Sequence, residues 1–185
     1  SDLGPNVLRS ANPDPAHPML PAVVDSVMKV TDEHTGLDAQ LSNWVQGVDG
    51  LRYLDVTTPM CFDDAGRIDL DMGLFIAAYP WALRALIKRF VAPGVVAAYR
   101  DPRHVLVDMP ANLIKERLPA WLPAVLEVVN DAVAPSVTRD EVERYYRSDA
   151  RLWEVMLRLR RADRWWQRNI RRREYPFLLP GRIER

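Results

Sequence analysis

The sequence predicts a mainly α protein: an irregular helical domain with a small β-hairpin, an extended Pro-rich N-terminal arm and a long C-terminal helix. Three observations lead there. Apolar residues recur at helical spacing through much of residues 22–137. Thr138 and Glu141 stand in a capping-box relation at the head of a stretch, 139–174, that contains neither Pro nor Gly. Five of the 15 prolines fall in the first 21 residues, at Pro5, Pro13, Pro15, Pro18 and Pro21.

Residues 1–21 therefore read as an extended arm, because Pro at this density opposes helix and removes backbone donors. Residues 22–137 read as a helical core. Its first part predicts two short helices, one with Val23, Val24, Val27 and Met28 on one face, the other following Leu37, Leu41, Trp44, Val45 and Val48. Residues 51–68 read as irregular, with a turn at Asp63-Asp64-Ala65-Gly66. Asp69 is placed to cap a helix over 70–91, with Asp71 in its first turn and a kink at Pro80. That helix is apolar over most of its circumference, which predicts a buried centre. Pro93-Gly94 should end it, and 95–99 with 105–109 should form the hairpin around Asp101-Pro102. Helices then follow over 111–117 and 120–133, split by Pro119 and Pro123 and stopped by Pro135.

Residues 138–175 predict a long, basic, amphipathic helix. Val142, Tyr145, Tyr146, Leu152, Trp153, Met156, Leu159, Trp166 and Ile170 trace its apolar stripe. Unbroken, it would run about 54 Å, longer than a compact domain of this size is wide, so it should protrude or break at Ser148-Asp149. Residues 176–185 read as an extended tail.

Composition is that of a globular chain: 48% hydrophobic and 27% charged residues. The net charge of zero conceals a gradient. Residues 1–80 hold 4 Lys/Arg against 12 Asp/Glu, residues 81–137 hold 7 against 5, and residues 138–185 hold 14 against 8, giving −8, +2 and +6. Of the 25 basic residues, 22 are Arg, which suits bidentate and stacked contacts at interfaces but equally reflects G+C-rich codon usage. One cysteine, Cys61, excludes an internal disulfide and any Cys-based metal cluster built by this chain alone. No secretory or transit signal is visible in the first residues. The uncharged run 72–83 spans 12 residues, short of the roughly 20 that cross a bilayer.

No phosphate loop, nucleophile elbow, Cys-x-x-Cys or His-Glu-x-x-His stands in the sequence. The expectation is therefore no enzyme, with no catalytic, cofactor-binding or metal-ligating residues and no cofactor. Two weaker constellations compete with that. Asp101, His104 and Asp108 place carboxylates beside a histidine, as a general base requires, although no activated nucleophile accompanies them. Asp63, Asp64, Asp69 and Asp71 surround Gly66, but aligned as a calcium loop the first and twelfth positions are Cys61 and Met72, both wrong.

The most distinctive segment carries Arg158, Arg161, Trp165, Trp166, Arg168, Arg171, Arg172 and Arg173. These are the expected partner-binding residues, since Arg and Trp dominate interface hot spots. Nucleic acid or anionic lipid would use the same chemistry. Against nucleic acid stand the neutral total and a pI near 6.8. A solvated basic face beside a core stripe is the plain alternative.

A helical core with free arms resembles, in architecture only, an accessory subunit of a large assembly. The expectation is a non-catalytic structural subunit bound to other protein subunits, most simply in a mitochondrial energy-transducing membrane complex such as a respiratory complex or ATP synthase. It would be associated with the inner membrane, with peripheral or anionic-lipid contact. The alternatives are a cytoplasmic chain, a small helical enzyme or ligand-binding domain with a site near His104, and a ribosomal-type nucleic-acid-binding subunit.

Overall fold

The computed structural model describes residues 2–55 and 60–181. Helix makes up 59% of it beside a small antiparallel sheet, so the protein is mainly α. In chain order the elements are β1 (Asp2–Leu3), α1 (Gly4–Arg9), α2 (Met19–Val30), β2 (Thr35–Gly36), β3 (Trp44–Gly47), β4 (Gly50–Tyr53) and β5 (Met60–Cys61). There follow α3 (Met72–Ala77), α4 (Trp81–Leu86), a π-helical turn (Ile87–Val91), α5 (Ala92–Ala98), α6 (Pro102–Lys115), α7 (Leu122–Ala132) and α8 (Arg139–Asn169). Residues 56–59 of the stretch expected to be irregular, and 182–185 of the expected tail, lie outside the described residues. By internal contact the chain forms two units: unit 1 is Ser1–Leu70 with Val96–Tyr146, and unit 2 is Asp71–Val95 with Arg147–Arg185.

Unit 1 holds the main core, built from α1, α2, α6, α7 and the first turns of α8. α2 buries Met19, Leu20, Val23, Val24 and Val27, one face of a helix. The expected N-terminal arm is overturned here. Leu8 is fully buried in the core, β1 pairs antiparallel with β3, and the indole N–H of Trp121 donates to the Leu8 carbonyl at 3.2 Å. The prolines act as helix starters instead of breakers. Pro5 lies in the first turn of α1, Pro18 precedes α2 and Pro21 lies in its first turn, positions whose N–H has no intrahelical acceptor.

Two further expectations are corrected in unit 1. The helix expected over Leu37 to Val48 is a short 3-10 turn followed by β3, which pairs with β4 in a hairpin from Trp44↔Tyr53 to Gly47↔Gly50. Gly50 takes a φ of +109°, open only to glycine without strain. The hairpin expected around Asp101-Pro102 is instead the junction of α5 and α6. Asp101 caps α6 by accepting the Arg103 N–H at 3.0 Å, and Pro102 starts it. α6 also runs through Pro110, and α5 through Pro93-Gly94.

α6 ends at Arg117, whose φ of 59° lies in the left-handed region. The Arg117 N–H returns to the Ile114 carbonyl and the Leu118 N–H to the Leu113 carbonyl, at 3.2 and 2.8 Å, a Schellman closure. At the start of α8, Thr138 Oγ1 accepts the Glu141 N–H at 3.2 Å, which is half of the expected capping box. The Glu141 carboxylate does not reach back. It takes both terminal nitrogens of Arg103, at 2.9 Å each.

In unit 2, Asp71, not Asp69, caps α3, accepting the Gly73 N–H at 2.8 Å. The expected single helix over 70–91 is broken at Pro80. Arg84 closes that turn by donating to the carbonyls of Tyr79 and Ala77, at 2.9 and 2.7 Å. The helix then resumes as α4, the π turn and α5. α8 runs 31 residues without a break at Ser148-Asp149, about 46 Å. It stops where Arg172 adopts a φ of 51° and the Arg173 N–H returns to the Gln167 carbonyl. Beyond it the chain is irregular: Arg160 and Arg161 donate to the carbonyls of Leu178 and Gly181, and the Tyr175 hydroxyl donates to the Ala78 carbonyl.

Candidate partner-docking face

The apolar helix expected to be the centre of the fold is the opposite. In unit 2 only Ile76, Ala78, Ile87, Ala92 and Leu157 are buried among the described hydrophobic residues. Leu74, Trp81 and Phe90 are 65–70% exposed, and Leu86 and Val95 are open as well. On α8 the exposed set is Leu152, Trp153, Val155, Trp165 and Trp166, with Ile170 just past its end. Among the described residues, 12 of the 16 large exposed apolar side chains belong to unit 2, the smaller of the two units. Burying the open part of one such side chain on a partner contributes on the order of 1 kcal/mol.

The charge is segregated in the same way. Unit 2 carries 15 Lys/Arg against 6 Asp/Glu, a formal +9, whereas unit 1 carries 10 against 19, a formal −9. The apolar exposure of unit 2 is thus set in a strongly cationic surface, the pattern of an interface that meets an acidic counterpart.

The structure divides the eight expected partner-binding residues. Trp166 and Arg171 line an open groove of about 400 Å³ together with Trp81, a residue expected in the core. Trp165 is 57% exposed. Arg158 pairs with Glu154 one turn away, and Arg161 is tied to the Gly181 carbonyl. Arg168, Arg171 and Arg172 have no ion-pair partner among the described residues. Arg173 contributes its backbone N–H to the end of α8.

The catalytic alternative gains nothing from the geometry. Asp101 is spent on the α6 cap, and exposed His104 meets Tyr145 edge-on at 5.6 Å. Asp108 is engaged by the Gln40 amide at 3.2 Å. Asp63 folds its own loop, accepting from the N–H groups of Ala65 and Arg67 and from the Arg67 guanidinium, which hold its carboxyl below the usual range. Asp64 lines a small polar pocket with His34, Glu33, Asp63 and Arg100. No group of three metal-ligating side chains occurs among the described residues, and no described helix is long and apolar enough to cross a membrane.

One polar cluster in unit 1 has no signal in the sequence. Asp38 is buried and accepts the Gln40 N–H at 2.9 Å. The Gln40 amide donates to Asp38 and Asp108, and its oxygen accepts from Asn112 and Lys115. Burial pushes the Asp38 carboxyl up, aided by the charge of Asp55 and opposed by hydrogen bonding with Gln40, Asn43 and Asp108. Burial beside Asp38 and Asp108 likewise pushes the Tyr99 hydroxyl up. Gln40 stands 68 to 75 positions before the α6 residues it bonds, so only the fold brings them together. The cluster fixes the 37–40 segment to α6.

Comparison with known proteins gives a family. Residues 13–164 match a family of unknown function, DUF6206, and the chain belongs to it. No curated protein and no solved structure matches.

Proposed function

We propose that this DUF6206 chain is a non-catalytic docking subunit that binds another protein through unit 2. The observation that supports this most is the concentration of open Trp, Phe, Leu, Val and Ile side chains on the unit with a formal +9. Large apolar exposure of this kind is costly in water and marks a surface used for contact. Aromatic anchors rimmed by Arg are the composition of an interface hot spot.

The N-terminal segment expected to be a free arm is part of the core, so protein docking, and not membership of a mitochondrial membrane complex, is the function proposed.

A second reading, nucleic-acid binding, is favoured by Arg168, Arg171 and Arg172, which have no ion-pair partner among the described residues. It ranks behind docking because phosphates do not cover Leu74, Leu86 and Phe90. Binding of RNA or DNA that weakens steeply between about 50 and 200 mM salt would reverse the order.

Native mass analysis of the endogenous protein tests the docking reading. A recurrent, stoichiometric protein companion is expected. In the triple variant Trp81→Ser, Phe90→Ser, Trp166→Ser the companion should be lost while helicity and melting temperature hold. A wild-type chain that runs alone as a cooperative monomer overturns the proposal.

A further inference from the structure

Within the docking face, α8 carries a finer pattern. Leu152, Val155, Leu159, Ala162 and Trp166 follow one another at steps of three, four, three and four residues. That is the a/d spacing of a coiled-coil seam, sustained over about 21 Å of helix. Such a seam is normally closed by a second helix. Here Leu152 and Trp166 are each 45% exposed, Val155 is 52% exposed, Ala162 is exposed and Leu159 half-buried. Among the described residues α8 buries two within unit 2, Leu157, opposite the seam, and Asp163, beside it. The apolar stripe of the seam is thus left largely open to solvent.

We infer that this open seam receives an α-helix of a partner protein, one with its own a/d stripe and Asp or Glu along its flanks. The inference rests on the docking reading above and specifies its occupant. The flanking charge makes the choice. Arg151 and Arg158 stand at the positions that border a seam and set partner choice. Arg151 has no partner among the described residues, and the pair of Arg158 with Glu154 is exposed on both sides, 73% and 62%, so it exchanges readily. A second copy of α8, laid antiparallel, would set these arginines against each other. Laid parallel, it would offer them Met156 and the buried Asp163. A lipid surface needs a broad apolar face, whereas the seam is a narrow stripe with Arg151 and Arg158 along one edge. At its C-terminal end the seam opens into the groove of Trp81, Trp166 and Arg171, where an apolar anchor and a carboxylate of the same helix find adjacent sites.

The test uses the full chain and a labelled synthetic peptide of about three heptads, with Leu at a and d and Glu at e and g. Saturable binding is expected, about tenfold weaker for the peptide with Lys at e and g, and about tenfold weaker again for the chain carrying Val155→Asn. Val155 is half exposed, so this variant should keep its helicity and melting temperature; Ala162→Asn repeats the test at a second seam position. Absent binding, or equal binding of the Glu and Lys peptides, overturns the inference. Uptake onto phosphatidylglycerol-containing vesicles that Val155→Asn abolishes overturns it in favour of a membrane. A wild-type dimer dispersed by Val155→Asn overturns it in favour of a second copy. If the peptide fails while the endogenous companion still dissociates from the Trp81/Phe90/Trp166 triple variant, docking stands and only the helical occupant falls.

Discussion

The indole N–H of Trp121 donates to the main-chain carbonyl of Leu8 at 3.2 Å, joining residues 113 positions apart, and both side chains are buried. This contact ties the first helix to the turn before α7. Leu8→Ala should therefore destabilise the protein by about 2–5 kcal/mol, as in other cores. Trp121→Phe, which removes the donor but keeps an aromatic ring, should cost about 1 kcal/mol or somewhat more. Denaturant midpoints measure both. A free arm would give no change for Leu8→Ala.

Arg103 and Glu141 join the heads of α6 and α8 through two 2.9 Å bonds. The Arg103 guanidinium holds the Glu141 carboxyl below its ordinary 4.5. A carboxyl depressed in the fold contributes stability above its unfolded pKa and loses it as pH falls through the folded value. Both side chains are 25–31% exposed, so the contribution is screened to about 0.5–1 kcal/mol. Glu141→Gln should be less stable than wild type by that amount at pH 7, and the gap should shrink as pH falls below 4.5 through the depressed folded value.

Asp38 has the reverse sign. Burial raises its carboxyl above the ordinary 3.8. Folding then favours the protonated form, and the contribution of Asp38 falls as pH rises from about 3.8 through the raised value. Asp38→Asn should gain on wild type over that interval, so the stability difference between them grows with pH. Urea titrations at pH 4, 5.5 and 7 check this; a difference that stays flat contradicts it.

Arg117 occupies a left-handed conformation at the end of α6, and its side chain is exposed. Glycine meets that geometry without a Cβ penalty. Arg117→Gly should stabilise the protein by about 0.5–1 kcal/mol, seen as a raised melting temperature.

The helical class and α8 were legible because local signals agree there: a Thr cap, no Pro or Gly, and apolar residues at helical spacing. The N-terminal helices were hidden because Pro5, Pro18 and Pro21 break a helix interior but start a helix, and composition does not say which. The hairpin was hidden by a coincidence of spacing. Leu37, Leu41, Trp44 and Val48 satisfy a helical period, while Leu51-Arg52-Tyr53 alternates as a strand does and the two-residue turn Val48-Asp49 joins it to Trp44–Gly47, and the strand pairing with β1 wins. At the site, Arg171 and Trp166 could be named from composition. Trp81 could not, since an all-round apolar helix normally signals burial. The Asp38 cluster depends on residues that only folding brings together.

The opposite formal charges of the two units have a practical corollary. A chain with an isoelectric point near 6.8 would be expected to pass an ion-exchange column unretained at neutral pH. This one should be held by both a quaternary-amine and a sulfonate resin, each gripping a different half. Dilute buffers should make it sticky towards charged matrices of either sign, and moderate salt, which shortens the reach of those fields to about 8 Å, should release it.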